Sequence, residues 1–231
     1  MGKVATQTEA QRGLRFTRYA DDVLIFTKSE MAAYRVMNSV SCWLERKLFL
    51  RVNATKTKVV RPTRSKYLGL TFLKNGSEWK VRPTNEKKKL KKKLGEYLKR
   101  GKAIARPLVV TIKRVNEIVR GWIIYLRIGM MKQFIEEFGK WLRHKIRVIV
   151  MKQWKNSKTI YRNLSYLNRK NKNGFQHEEI YQVANSRLGW YRRCGMNVVN
   201  FIISKDLLEN RIKDGAGLLN PLSYYLVKVI I

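Results

Sequence analysis

The sequence predicts an α+β chain, with a mixed strand and helix segment over residues 1–82 followed by an all-helical remainder. Three observations predict it. Short apolar runs rich in β-branched and aromatic residues, bounded by turn signals, recur before Pro83. After it, apolar residues recur three and four apart, the spacing of one helix face. Pro83 itself, which lacks the N–H of a ladder donor, marks the change. A polar, Asn/Lys-rich stretch then divides the helical part into 83–162 and 163–231.

Residues 1–13 are polar and unpatterned and read as a frayed lead-in. Phe16–Tyr19 and Val23–Phe26 read as two short strands around an Ala20-Asp21-Asp22 turn, the second buried on both faces. Ser29 is a helix cap. The helix after it carries Ala33, Val36, Met37, Val40, Leu44 and Leu48 at helical spacing. Further strands are expected at Leu50–Val52, Lys58–Arg61 and Tyr67–Phe72, and Asn75-Gly76 is a hairpin turn into Trp79–Val81.

Lysines dominate the opening of the helical part, Lys87 to Lys93 around Leu90, which fits a solvated helix face as well as a phosphate-binding one. Ile112, Val115, Val119, Trp122, Ile123 and Leu126 form one apolar stripe. Phe134, Phe138, Trp141, Leu142, Ile146, Ile149 and Trp154 form another, with Lys140, Arg143, Lys145 and Arg147 between them. Stripes of this kind are more often core than binding site. Residues 155–176 are expected to be a loop with a short helix; 180–193 and 205–213 are expected to be helical, the last ending at Gly215 and Gly217.

Fifty Lys and Arg stand against sixteen acids, a formal charge of +34, so the chain repels itself unless polyanions lie along it. No apolar run approaches the roughly 20 residues of a membrane span, which leaves nucleic acid as the favoured partner and membrane as the weakest. Two cysteines and two histidines make structural disulfides and a zinc site improbable. With no apolar leader at the N-terminus, the chain is expected in a bacterial cytoplasm or an organelle and not secreted.

Only four aspartates occur, and Asp21 and Asp22 are adjacent at a tight turn between apolar strands. Neighbouring carboxylates repel unless a cation compensates, and oxygen ligands alone favour Mg²⁺. On the dipeptide alone, the polar turn of an ordinary hairpin is the commoner explanation.

Tyr19-Ala20-Asp21-Asp22, between Phe16 and Val23-Leu24-Ile25-Phe26, resembles the YxDD turn of reverse transcriptases. Leu50 to Lys58, with its Lys56-Thr57 pair, is similar to the segment after that turn in group II intron enzymes. Tyr67-Leu68-Gly69-Leu70 resembles their next strand, and Arg120-Gly121-Trp122-Ile123-Ile124-Tyr125 resembles the RGW-x-x-Y signature of their maturase domain. Trp141-Leu142-Arg143 and Gly189-Trp190-Tyr191-Arg192 continue the pattern. These segments occur in the family's order, and the resemblance covers roughly Leu14 to the C-terminus.

The resemblance implies the C-terminal portion of a reverse-transcriptase palm over 1–82, a helical thumb/maturase-specific domain over 83–162, and the C-terminal helical part of the maturase region over 163–231. It implies RNA-directed DNA polymerase chemistry with Mg²⁺ held by Asp21 and Asp22. Lys56 would meet the triphosphate or the leaving group, and Tyr19 and Gly69 would lie near primer and template. A further palm aspartate belongs on an earlier strand, and before Asp21 the only acid is Glu9. Polymerase activity by this chain alone is therefore not expected, and a separately encoded N-terminal fragment is one possible partner.

The competing reading is a non-enzymatic RNA-binding splicing cofactor or an inactive remnant. Group II intron RNA would be the partner in either case, with an RNA template and DNA primer added if the enzyme is active. Phosphate contact is expected from Lys87, Lys88, Lys91, Lys92, Arg120, Arg143, Lys145, Arg147, Arg192 and Arg193. Core packing is the expected task of Trp122, Trp141 and Trp190.

Overall fold

The computed structural model describes residues 14–84, 86–210 and 217–229. The lead-in at 1–13 and the helix end at Gly215 lie outside the described residues. The chain divides into two compact units, Met1–Val81 and Arg82–Ile231.

In the first unit, β1 (Arg15–Tyr19) and β2 (Asp22–Phe26) form an antiparallel hairpin in which Tyr19 faces Asp22. Asp22 therefore belongs to the ladder, and the turn consists of Ala20 and Asp21. β2 was expected to be buried on both faces; instead its residues are exposed or half-buried. A two-stranded ribbon offers only one paired edge, and among the described residues no third strand joins it.

α1 (Glu30–Leu48) starts at Ser29, whose hydroxyl accepts from the Ala32 N–H at 3.2 Å. Its expected apolar stripe is present from Ala33 to Leu44 but only half-buried, and Leu48 is exposed. Periodicity set the face, not the depth.

No strand forms at Leu50–Val52 or Lys58–Arg61. The Asn53 side chain accepts from the Thr55 and Lys56 N–H groups, each at 3.1 Å, and turns the chain locally. A short 3₁₀ turn at Pro62–Arg64 follows. Tyr67–Leu70 is likewise a tight turn rather than the start of a strand, with reciprocal backbone bonds of 2.9 Å between Tyr67 and Leu70. Leu68 (φ 50°) and Gly69 (φ 76°) both take positive φ, as a type I′ turn requires.

β3 (Leu70–Asn75) and β4 (Glu78–Pro83) form a second two-stranded sheet, joined through Gly76 at φ 61° and Ser77. The Phe26 and Phe72 rings meet edge to face at 5.5 Å, packing β3 against β2.

The second unit is helical throughout: α2 (Glu86–Tyr97), α3 (Arg100–Ala103), α4 (Leu108–Leu126), α5 (Lys132–Gln153), α6 (Ser157–Asn171), α7 (His177–Asn185), α8 (Trp190–Arg193), α9 (Asn197–Ile202), α10 (Lys205–Asn210) and α11 (Pro221–Val229). Both predicted stripes are core. Ile112, Val115, Val119, Ile123 and Leu126 of α4 are buried, as are Phe138, Leu142, Ile146 and Ile149 of α5. α11 packs on both helices, and its buried Tyr225 donates to the Gly129 carbonyl at 3.0 Å.

Two segments differ from their expected structure. The stretch 155–176 holds a fifteen-residue helix, α6. Asn156 caps it by accepting from the Thr159 N–H at 2.8 Å, and Ile160 and Leu164, four apart, are fully buried. Two buried anchors and a cap suffice where the rest is polar. The expected helix over 180–193 is broken into α7 and α8, because Ser186 ends α7 in an extended conformation and its hydroxyl accepts from the Leu188 N–H at 3.2 Å. Among the described residues no helix is long and apolar enough to cross a membrane.

Candidate nucleic-acid interface and carboxylate hairpin

The hairpin turn places Asp21 and Asp22 side by side and exposed. Ala20 takes φ 50°, the conformation that Gly76 supplies without a Cβ in the other hairpin. The Arg18 Nε donates to the Ala20 carbonyl at 2.9 Å and braces the turn. Tyr67 Oη lies 3.4 Å from the Asp22 carbonyl, so the Tyr67–Leu70 turn with Gly69 stands beside β2. Tyr19, 64% exposed, is open at the hairpin end. Lys56 stands exposed in the Asn53 turn. Among the described residues no salt bridge engages Asp21 or Asp22.

Two adjacent, unpaired carboxylates fit the chemistry of Mg²⁺, which takes one or two protein carboxylates and keeps the rest of its sphere for water and substrate phosphates. Among the described residues no third His, Cys, Asp or Glu joins them in a cluster.

In the second unit, the structure sorts the basic residues by depth. α2 buries Leu90 and Leu94. Lys87 and Lys91 flank that face and lie over the Phe134 ring at 5.1 and 5.6 Å, so their stems pack while their ammonium groups stay at the surface. Lys88 and Lys92 are exposed, and so is Lys93. Phe134 begins an aromatic ladder with Trp122, Phe138 and Trp141, at successive ring separations of 5.5 to 5.8 Å. Trp122 and Trp141 are half-buried in it.

Lys145 lies over the Tyr191 ring at 5.3 Å and the Trp141 ring at 5.9 Å. Exposed Arg192 stands beside Trp190, Tyr191 and Arg100 in a shallow open hollow. Arg120 is exposed on α4. Arg143 is half-buried; burial lowers its pKa, and the Glu209 carboxylate partly restores it.

Arg147 and Arg193 depart from the expected phosphate contacts. They are 8% and 6% exposed. Arg147 donates to the Ile203 carbonyl at 2.8 Å and the Asn200 carbonyl at 3.3 Å. Arg193 donates to the Val183 carbonyl at 2.7 Å and also to that of Ala184. Both guanidinium groups satisfy carbonyls at helix ends.

Next to Arg147, the Cys194 thiol is completely buried and pushed up to about 12 by desolvation. The His144 ring meets Tyr191 at 4.1 Å, and its Nε2 is buried without a partner. Burial first, then Arg147 and Lys145, hold its pKa below the usual value.

Residues 87–167 match the family model of the group II intron maturase-specific domain. Residues 1–72 match that of the reverse transcriptase (RNA-dependent DNA polymerase). Among curated proteins none matches the chain. The first match spans the lysine helix and both apolar stripes, and the second spans the carboxylate hairpin. Nucleotidyl transfer in the reverse-transcriptase family usually needs a divalent metal, and the two domains together imply intron RNA and nucleic-acid substrates as partners. The two matches support an RNA-directed DNA polymerase family protein with a maturase role, of the group II intron reverse transcriptase/maturase kind.

Proposed function

We propose that the chain grips group II intron RNA through the exposed basic residues of its helical unit. The observation that carries this is the arrangement around Phe134. Leu90 and Leu94 anchor α2 while Lys88 and Lys92 stand in solvent and Lys87 and Lys91 are held over one ring. A solvated lysine face with a fixed stem needs little ordering when phosphates arrive. Arg120, Lys145 and Arg192 extend the same chemistry. A bacterial cytoplasm or an organelle is the setting where such an RNA is met.

The hairpin contributes Asp21 and Asp22 to Mg²⁺ binding, and Tyr19, Lys56 and Gly69 face primer, template and nucleotide. When bound, the ion neutralises charge on the transferred phosphate and its leaving group. The carboxylates hold charge at the turn tip, and the Tyr67 hydroxyl fixes the neighbouring turn on β2. Further ligands would come from substrate phosphates, water and a carboxylate outside the described residues, a separately encoded N-terminal fragment being one source.

The test is RNA affinity of the whole chain across a salt series. Replacing Lys88, Lys92, Lys145 and Arg192 by Ala removes four phosphate contacts and lowers the slope of log affinity against log salt by roughly 2.8–3.6, the span between single-strand and duplex behaviour. An unchanged slope overturns the assignment of those residues.

A further inference from the structure

A groove in the second unit lies away from the lysine helix and holds about 650 Å³. It follows α6 from Asn156 to Arg169, a helical rise of ~20 Å. Lys158, Arg162 and Arg169 line it, spaced so that they share one face of α6, while Ile160 and Leu164 hold the opposite face in the core. Among the described residues no carboxylate lines it.

Its walls are aromatic as well as basic. The Tyr161 ring is held edge to face by His177 at 5.0 Å and by Tyr181 at 6.2 Å, and its hydroxyl is hydrogen-bonded to His177 Nε2. Asn168 clamps the Phe175 backbone, donating to its carbonyl at 2.9 Å and accepting from its N–H at 3.3 Å, which fixes Phe175 as a second wall. Ser165 Oγ in the groove is buried without a hydrogen-bond partner.

We propose that this groove binds a short single-stranded segment of RNA. Unpaired bases stack against Tyr161 and Phe175, and Lys158, Arg162 and Arg169 neutralise the phosphates. Ser165 Oγ gains its missing partner from a base edge or a ribose hydroxyl. Duplex RNA presents its bases stacked and paired, so it cannot use the aromatic walls. The inference deepens the RNA-binding reading above and rests on it.

The test measures anisotropy of a 5′-fluorescein single-stranded RNA 12-mer, and of the same sequence as a blunt duplex, with the full chain. Tyr161→Leu weakens single-strand binding about tenfold, the scale of one lost stack, and leaves the duplex unchanged. Tyr161→Phe keeps the ring and retains affinity. Arg162→Ala with Arg169→Ala, both exposed in the folded chain, lowers the single-strand salt slope by about 1.4. The matched pair Lys99→Ala with Lys113→Ala, on other exposed surface, affects both probes equally. Equal losses on single strand and duplex from the Arg162/Arg169 pair overturn the proposal, and so does no loss on the single strand. Those contrasts between variants are separate from the intron-RNA preference of the unaltered chain, whose failure would count against the wider reading instead.

Discussion

Arg147 on α5 donates its Nε to the carbonyl of Ile203 at 2.8 Å and ties the end of α9 to the C-terminal half of α5. Burial first, then the neighbouring Arg143 charge, holds its pKa down to about 10. The group therefore carries its charge at neutral pH at a cost that the carbonyls of Ile203 and Asn200 offset. Arg147→Met keeps an unbranched stem but leaves those carbonyls without a donor. Urea unfolding should show a loss of about 1–3 kcal/mol. The salt slope of RNA binding should not change, whereas a surface phosphate contact would show the reverse pattern.

The contrast between Lys145 and Arg147 shows where sequence reasoning ends. They are two residues apart in one basic cluster, yet one lies over an exposed tyrosine ring and the other in the core. That difference depends on α9, which reaches α5 from more than fifty residues downstream. The stripes of α4 and α5 were legible because helical spacing states directly which face is apolar. The Asn75-Gly76 turn and the Ser29 cap were legible because each is set by local chemistry. Leu50–Val52 has strand-like composition but forms no strand, because strand identity requires a neighbouring strand. The helix within 155–176 leaves little trace in the sequence, because Ile160 and Leu164 alone carry its burial. The groove lined by Arg162 and Arg169 had one available signal, basic residues at helical spacing beside Tyr161, masked by the loop assignment.

The two cysteines should differ sharply towards alkylation. Cys42 is exposed, whereas Cys194 is fully buried with its thiol pushed up to about 12 and its Sγ 3.4 Å from Met151 Sδ. Iodoacetamide on the native chain should label Cys42 alone, read by peptide mass spectrometry, and reach Cys194 only in denaturant. Labelling of Cys194 at the same rate would contradict the packing of α5 against α8.

His144 should make the second unit acid-sensitive. Its folded pKa lies below the unfolded value near 6.5, so in acid the unfolded chain takes up a proton that the folded one resists. Stability is complete above about pH 6.5 and falls as pH drops from there to the folded pKa. His144→Gln should remove that part of the fall, measured as the midpoint of urea unfolding at pH 5, 6 and 7. An unaltered pH profile would show that the ring is solvated.

Ala20 stores backbone strain at the carboxylate turn, since its φ of 50° is costly with a Cβ. Ala20→Gly should relieve part of it, offset by the greater freedom of glycine in the unfolded chain. The expected net change in unfolding free energy is within about 1 kcal/mol, in the stabilising direction. A loss of more than that would show that the Ala20 methyl makes a packing contact that outweighs the strain.

The most direct measurement for the whole account is equilibrium binding of the unaltered chain to a folded group II intron RNA and to a shuffled RNA of equal length and composition. Both present the same phosphates to a chain of charge +34, so bulk electrostatics gives equal affinity at low salt. As salt rises and that shared term is screened, the account predicts that the intron RNA is retained and the shuffled RNA is released. Equal affinities at every salt concentration would contradict it, leaving a basic chain that binds any polyanion.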